Sequence, residues 1–545
     1  MRTSESCLSC VMLVVVACGG DGEPGMPPVP DARPPARPLV LTDISAGSPD
    51  LAATPYGGSP GWDASDKYAP GVALADLDGD GVLDLVQPRN DRDQPALRGL
   101  RIHRGLGDGR FVDVTGVTWD EGRNATVAMA FDHDGDDDLD VFVGVDGGPS
   151  VLLRNDGDFV FEDVAVEVGL AAPGDRVFTA AAGDVDRDGD ADVYLGSWNA
   201  SAPGHGDGTA PNRLFRNDGG VFTDVTAAAG VDCHGWSTLG LAMADLDDDG
   251  ALDIFVANDF FDACLYWGRG DGTFVEGARA AGVAGGTEHG MGVAIGDLDG
   301  DLDIDIYVTD DEVVDDAWGN ALYLNDGPGT RTFASRASAL KLDGLSTLAV
   351  NWLVCWGVGL VDLDHDGDLD VHVATHGERS ELVWRNDGDT FAAERGLMHD
   401  LDDADARGSA YGDIDGDGDI DVVVGRRGAG LQVLRNDTFK VGGEAGGEAG
   451  TGYASDPGGH WLLVAPQPAA AAPGARVTIS AGGRTQVAVV QAGASYLSSG
   501  PPVAHFGLGA AARVDQVEVA FPDGARRVLR DLAAGQTVIV HRDAE

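Results

Sequence analysis

One loop is written into this chain seven times. In its last copy, GDIDGDGDIDVVV from Gly412 to Val424, Asp413, Asp415, Asp417 and Asp421 occupy positions 1, 3, 5 and 9, with Gly418 at position 6. Oxygen ligands at that spacing converge on a hard cation around a tight glycine turn. The helical version of such a calcium loop needs a Glu at position 12. Here position 12 is Val424, inside an alternating apolar run, so the loop joins two strands and the expected site is β-loop-β.

The copies begin at Asp76, Asp132, Asp184, Asp245, Asp297, Asp362 and Asp413, separated by 56, 52, 61, 52, 65 and 51 residues. A single acidic loop is a weak signal; seven in register define a repeat. The expected ligands are the aspartates at positions 1, 3, 5 and 9, with the residue at position 7, where such loops use the backbone carbonyl. In chain order these are Asp76, Asp78, Asp80, Val82 and Asp84; Asp132, Asp134, Asp136, Asp138 and Asp140; Asp184, Asp186, Asp188, Asp190 and Asp192. Then come Asp245, Asp247, Asp249, Ala251 and Asp253; Asp297, Asp299, Asp301, Asp303 and Asp305; Asp362, Asp364, Asp366, Asp368 and Asp370; and Asp413, Asp415, Asp417, Asp419 and Asp421. Up to seven calcium ions are the expected cofactor, in a structural role. Oxygen ligands without His or Cys argue against zinc or copper, and magnesium prefers few carboxylates and retained waters. At position 6, Asp137 and Leu302 replace Gly. A side chain there demands a strained turn or a different one, so these two loops are expected to bind more weakly.

Each loop follows a stretch of small apolar residues, such as GVALA or FTAAAG, and precedes a strand-like run such as LDVFV or IDVVV. A second hairpin follows, turned in most copies by Asn-Asp-Gly or a relative, as in LLRNDGDFVFEDV at 152–164. The unit is four antiparallel strands, and radial repetition of such sheets gives a propeller. The expected fold is all-β: a seven-bladed β-propeller over residues 39–440, followed by a small sandwich- or barrel-like β domain. LVLTDISAG at 39–47 resembles the end of an internal repeat, VFTDVTAAAG at 221–230, whereas the seventh repeat stops early. The N-terminal strand is therefore expected to complete the last blade, which removes the open edges of a linear array. In a four-stranded meander the Asp loops and Asn-Asp-Gly turns share one face. Long insertions at 87–99, 197–213 and 309–320 fall on the other, where repeat proteins often bind partners.

With 91 acidic against 36 basic residues, the formal charge of −55 opposes contact with nucleic acid or anionic lipid. The N-terminal run VMLVVVA is too short to span a bilayer and fits a secretory signal over residues 1–18. Val16-Ala17-Cys18 has the form of a bacterial lipobox, with Cys18 as the lipidated residue and 19–38 as a Gly/Pro-rich tether. The chain is then expected at the bacterial outer membrane or cell surface, touching the membrane only through that anchor, or else secreted. Of the remaining cysteines, Cys233, Cys264 and Cys355, an oxidising compartment allows two to pair. Cys233 and Cys264 flank one inner hairpin and are the preferred pair. Cys233, His234, His289 and Cys355 lie near the axis on the insertion face, but at no recognised metal spacing. His372 and His376 share a strand face, an arrangement more often surface than ligand.

Residues 441–460 read as a glycine-rich linker, and 461–545 as hairpins turned at AGGR and PDGA. The Asp loops resemble FG-GAP, or VCBS-type, repeats of integrin-like propellers. GARVTISAGG at 474–483, the QAGASYLSS run at 491–499 and HFGLG at 505–509 resemble the ASPIC/UnbV domain. Repeat array plus this module is the layout of the family of proteins similar to cartilage acidic protein 1. The resemblance implies extracellular calcium binding with adhesion or matrix interaction, and it carries over no catalytic residue. No GxSxG, HExxH or phosphate-cradling loop stands in a supporting context. The expected function is a monomeric cell-surface binding module for a protein or glycan, not an enzyme. The alternative is an enzyme with an active site or transition-metal site at the channel mouth.

Overall fold

The computed structural model describes residues 39–543 apart from 50, 52–70, 91–97, 116–122, 173, 199–210, 288, 314–318, 345–351, 378–380, 389, 396, 398–404, 428 and 440–458. The expected signal and tether segments, nearly all of the expected linker and the centres of the three insertions therefore lie outside the described residues.

Seven antiparallel sheets form the propeller. Blade 1 is Ala73–Ala75, Asp84–Arg89, Gly99–Gly105 and Phe111–Asp113; blade 3 is Val177–Gly183, Asp192–Ser197, Arg213–Asn217 and Phe222–Asp224. The other blades repeat this meander, with inner strands Ala125–Phe131, Ser237–Ala244, Val293–Gly296, Trp352–Val361 and Asp405–Gly412 in blades 2, 4, 5, 6 and 7. Blade 6 gains a fifth strand, because Asp311–Val313 of the acidic insertion pairs with Trp352–Val354. One-turn helices at Ala165–Val168, Thr226–Ala229, Ala278–Ala281 and Ala337–Leu340 follow the outer strands of blades 2–5. These turns are too short for a helical period to show in the sequence.

Small residues line the axis because neighbouring inner strands nearly touch. A Cβ on Gly240 would collide with the Met291 carbonyl, and one on Gly292 with the Trp356 carbonyl. The core lies between blades: Phe255, Leu265 and Trp267 of blade 4 meet Ile295, Ile306 and Tyr323 of blade 5 in one buried cluster.

Closure occurs as expected. Leu41–Asp43 pairs with Leu434–Asn436, so the first described strand becomes the fourth strand of blade 7. The Asp43 carboxylate accepts from Gln432 Nε2 at 3.0 Å. Leu39 is buried with Leu363 and Val383 of blade 6.

The C-terminal segment is a sandwich. Ala504–Gly509, His460–Gln467 and Gln536–His541 form one sheet; Arg484–Val489, Arg476–Ala481, Arg513–Ala520 and Arg526–Ala533 form the other. Its core includes Leu462, Val464, Val477, Ile479, Phe506 and Val519. This domain sits on the loop-bearing face of the propeller and sends a tongue, residues 491–500, down the axis. Val72 N–H donates to Ser498 Oγ at 3.1 Å, Val358 N–H to Ser495 Oγ at 2.9 Å, and Ala182 N–H to the Ala492 carbonyl at 2.9 Å. Tyr496 and Leu497 end among Phe178, Trp198, Leu239, Met291, Val354 and Trp356, a buried cluster from four blades. The SYLSS run thus fills the channel.

Ring closure by the N-terminal strand can be tested by truncation. Deleting 39–47 should remove at least about 2 kcal/mol, from the lost Leu39 burial alone, and should lower solubility by exposing a strand edge. Deleting 19–38 should leave the melting temperature unchanged; equal effects of the two truncations would show that closure does not depend on this strand.

The candidate metal loops

The loop geometry is dictated by its own carboxylates. At position 1, one oxygen accepts the position-6 N–H in all seven loops, at 2.9 to 3.1 Å. At position 5, Oδ1 accepts the position-7 N–H in every loop, as Asp417 does from Asp419 at 3.0 Å. The backbone reverses through a left-handed position 6, with φ of 93° at Gly418. Asp137 and Leu302 take the same conformation, at 73° and 76°. They adopt the common turn, not a different one, and accept the strain of a Cβ at positive φ. Position 4 is left-handed as well, occupied by Gly79 but also by Arg187, Asp248 and His365. The sequence reading missed that requirement because Gly occupies the position in only some copies.

Position 9 does two jobs. Its Oδ2 accepts the position-2 N–H, and its Oδ1 accepts an N–H at the end of the third strand, in all seven blades. For Asp421 these donors are Ile414, at 2.9 Å, and Asn436, at 2.7 Å. The residue expected only as a ligand is therefore also the bolt that fixes the loop to its sheet. Asp421→Ala would leave two buried amides unsatisfied, at about 1–3 kcal/mol each. Chemical denaturation should show that loss with or without calcium, whereas a residue acting only as a ligand would matter only in its presence.

The Asn of each Asn-Asp-Gly turn, and of Asn436-Asp437-Thr438 in blade 7, is the second missed residue. Asn155, Asn217, Asn325, Asn386 and Asn436 are buried, and each donates a side-chain N–H to the position-2 carbonyl of the preceding blade, at 2.7 to 3.0 Å. Gly105 and Gly268 stand at that place in blades 1 and 4. A side chain there would collide with the Leu83 and Leu252 carbonyls.

The donor set fits a hard cation. Carboxylate oxygens of Asp76, Asp78 and Asp84 lie within 4.8 Å of one another, as do those of Asp184, Asp186 and Asp192, and of Asp245, Asp247 and Asp253. Among the aspartates of the seven loops, Oδ1 of Asp76, Asp186, Asp362 and Asp364 is buried and accepts no hydrogen bond. A divalent ion would be held by positions 1, 3, 5 and 9 with the position-7 carbonyl. In blade 1, however, Arg104 contacts Asp78 and Asp80 at 2.9 and 2.8 Å. In blade 4, Arg331, reaching across from blade 5, pairs with both Asp247 and Asp249. In these two loops an ion must compete with a guanidinium in direct contact, closer than Arg216, Arg385 and Arg435 come to Asp186, Asp364 and Asp415, at 3.8 to 4.0 Å.

Among the position-9 carboxyls, burial pushes Asp84 up from the ordinary 3.8 to about 7, and Asp192 and Asp305 to about 8, against the pull of their two amide donors. Burial likewise pushes Asp132, Asp184, Asp245, Asp297 and Asp413 up to about 6, with neighbouring aspartates adding to the effect. A folded-state pKa above the unfolded value stabilises fully below the unfolded pKa, near 3.8, and that stability is lost as pH rises through the folded pKa. Chelated protein should therefore melt progressively lower from about pH 4 to about pH 8, between the unfolded value and the highest of these folded ones. Saturating calcium should abolish the decline, because the ion replaces the protons. A chelated protein indifferent to pH across that window would contradict the burial of these loops.

The insertion-face residues do not assemble into a metal centre. Cys233 is disulfide-bonded to Cys264, the preferred pairing, and Cys355 is a buried thiol in an apolar cluster. His289 Nδ1 lies 2.9 Å from Asp259 Oδ1, and His234 packs on Trp236. His372 is fully buried rather than on the surface, with Nδ1 2.9 Å from Tyr411 Oη, and burial pushes its pKa down to about 3. His376 lies 3.2 Å from Asp405.

The C-terminal domain grips the loops directly. Arg476 donates to the Leu302 carbonyl at 2.5 Å and contacts Asp248 at 3.0 Å. Arg484 donates to the Asp366 carbonyl at 2.6 Å and pairs with Asp368. His505 lies 3.0 Å from the Gly418 carbonyl, Gly509 N–H donates to the His365 carbonyl at 2.7 Å, and any side chain at Gly507 would strike the Asp362 carboxylate. The HFGLG run thus joins Arg484 in contacting the loop of blade 6 and reaches the loop of blade 7.

Residues 132–195, 245–308 and 362–424 match the FG-GAP-like repeat, and 465–545 match ASPIC and UnbV. The chain is similar to cartilage acidic protein 1 of Homo sapiens, 27% identical over 511 residues that cover 86% of this chain and 70% of that protein. It is also similar to the Mus musculus protein, 27% identical over 514 residues, covering 85% and 72%. Similar solved structures include BBS1N in complex with ARL6DN, soaked with mercury, with TM-score 0.40, 13% identity and coverage of 67% of this chain and 92% of that one. Another is YCF48 bound to D1 peptide, with TM-score 0.40, 9% identity and coverage of 71% and 98%.

Proposed function

We propose that this chain, built of FG-GAP-like repeats and an ASPIC/UnbV domain, is an exported calcium-binding propeller that acts as a cell-surface binding module for a protein or glycan. The observation that carries the calcium reading is the sevenfold loop in which buried carboxylate oxygens of Asp76, Asp186, Asp362 and Asp364 accept no hydrogen bond. Calcium in these loops is structural: it neutralises clustered carboxylates that the fold holds together. The Cys233–Cys264 pair supports export, since disulfides persist in oxidising compartments. Anchoring at Cys18 belongs to the same reading and rests on the lipobox-like sequence alone.

A binding module is favoured over an enzyme at the channel mouth because Tyr496 and Leu497 fill the channel. The loop-bearing face is largely occupied by the C-terminal domain, which leaves the insertion face, opposite it, as the surface for a large partner.

Thermal melts of the purified chain in about 2 mM calcium and in chelator test the first half of this reading. At dissociation constants of roughly 10⁻⁴ to 10⁻³ M, each filled loop adds about 0.6–1.8 kcal/mol, and the array several times that. An unchanged melting temperature would sink structural calcium. Calcium-limited titration should fill the loops of blades 1 and 4 last, after even the strained loops that begin at Asp132 and Asp297, because Arg104 and Arg331 must be displaced. Their filling first would reverse that order. A glycan array and surface pull-down with and without calcium test the second half.

A further inference from the structure

The C-terminal domain departs from the acidity of the rest of the chain. Residues 461–545 hold seven arginines against six acidic side chains, whereas the whole chain has 36 basic against 91 acidic residues. Four of the seven are engaged: Arg476 and Arg484 with the loops, Arg542 with Asp523 at 2.6 Å, and Arg513 with the Asp531 carbonyl at 2.6 Å. The other three, Arg526, Arg527 and Arg530, lie on the strand Arg526–Ala533, which ends its four-stranded sheet. At the opposite edge, Val487 and Val489 of Arg484–Val489 pack against the core between blades 4 and 5. Three inter-strand steps of about 4.8 Å separate the two edges, roughly 14 Å in all, which exceeds the screening length of about 8 Å at physiological salt.

The register shows which backbone groups this edge presents. Phe521 N–H donates to the Ala525 carbonyl at 2.8 Å, so Phe521 and Ala525 form a hydrogen-bonded pair. Such pairs alternate along an antiparallel ladder. Ala520–Arg526, Glu518–Val528 and Gln516–Arg530 are therefore the other kind, and the N–H and C=O groups of Arg526, Val528 and Arg530 turn away from the sheet. Arg527 Nη1 donates to the Arg526 carbonyl at 2.9 Å, and no described residue meets the other outward groups. The side chains of the same three residues are exposed on the outer face, with Val528 44% exposed between two arginines. Arg526 reaches Glu518 at 2.9 Å, and Arg530 makes no ion pair among the described residues. The fourth strands of the blades are three residues long, too short to template a partner, whereas this strand has eight.

We propose that the Arg526–Arg530 edge docks an extended acidic segment of a partner protein, added antiparallel to the sheet and carrying acidic, apolar and acidic side chains at alternate positions. Main-chain bonds to the outward groups give the affinity, and the side chains across the new ladder give the choice of partner. Residues opposite Arg530, Val528 and Arg526 lie beside them on the outer face, so carboxylates meet guanidinium groups and an apolar residue covers Val528. A second copy of this chain fits worse, because two-fold pairing about Val528 sets Arg526 against Arg530 of the copy, like charge on like. The edge is a different surface from the metal loops and from the insertion face, and it does not depend on which partner that face engages.

Fluorescence anisotropy with the full chain in saturating calcium tests it, the probe being an end-blocked, dye-labelled peptide Thr-Glu-Thr-Val-Thr-Glu-Thr. The probe should bind once per chain with a dissociation constant below about 1 mM, and weaken as salt is raised. Lysine in place of both glutamates should weaken binding by about tenfold or more. N-methylation of the valine amide, which faces the protein, should do the same, whereas N-methylation of the threonine before it, whose amide faces away, should not. Arg530→Glu should weaken binding by about tenfold. Arg279→Glu, the same change of charge at an 84% exposed position on the propeller, should bind as the wild type does. Should Arg530→Glu melt lower than the wild type, Val528→Pro replaces it, removing an outward amide while leaving the bonds to Arg513–Ala520 in place. No binding up to about 1 mM, equal binding of the lysine or N-methylvaline peptide, or a probe indifferent to Arg530→Glu overturns the proposal. So does a wild-type dimer in sedimentation that Val528→Pro dissolves, which would assign the edge to a second copy.

Discussion

The fold depends on a carboxylate that accepts two backbone amides. Asp84 and its six counterparts hold the loop's second residue with one oxygen and the end of the third strand with the other. Hydrogen bonds from backbone N–H to a carboxyl oxygen, strongest when that group is ionised, here replace water for groups that the loop would otherwise bury unmet. The loop cannot swing away from its sheet without breaking both. From that bolt the Asn amide reaches the neighbouring loop's carbonyl, as Asn217 does to His133, so order passes from blade to blade.

That arrangement has an electrostatic cost. Bolting an aspartate at position 9 beside others at 1 and 3 places buried negative charge in one spot, and burial raises Asp192 and Asp305 to about 8. Proton, guanidinium or metal ion can relieve it, and the chain contains the second solution at Arg104 and Arg331. The same surface recruits Arg476 and Arg484 from the C-terminal domain. The charge that makes the loops receptive to a cation therefore also makes them the docking face of their own cap. The two roles share residues: Gly507 presses on the Asp362 carboxylate, and His505 on the Gly418 carbonyl.

Docking on that face explains the tongue. A sandwich seated over the axis can extend a loop into the channel, where Tyr496 packs with Trp356, and Ser495 and Ser498 take amides from two inner strands. Ring closure at Leu41–Asp43 and the plug at 491–500 then hold the propeller from its rim and from its centre.

Local chemistry made much of this legible in the sequence. The Asp spacing, the Asn-Asp-Gly turns and the small residues of the inner strands fixed blade number, strand order and the face of each loop, because each is set by contacts within one repeat. Ring closure was readable because Thr42-Asp43-Ile44 repeats an internal pattern, and the Cys233–Cys264 pairing because both residues flank one hairpin. Tertiary structure decided the rest. That position 9 is a bolt, that Asn155 reaches back to Leu77, that Arg331 enters another blade's loop, and that the SYLSS run fills the axis are contacts between residues from 7 to more than 400 positions apart. Spacing along the chain cannot report them, since they arise only when packing brings distant backbone and side chains within hydrogen-bond reach.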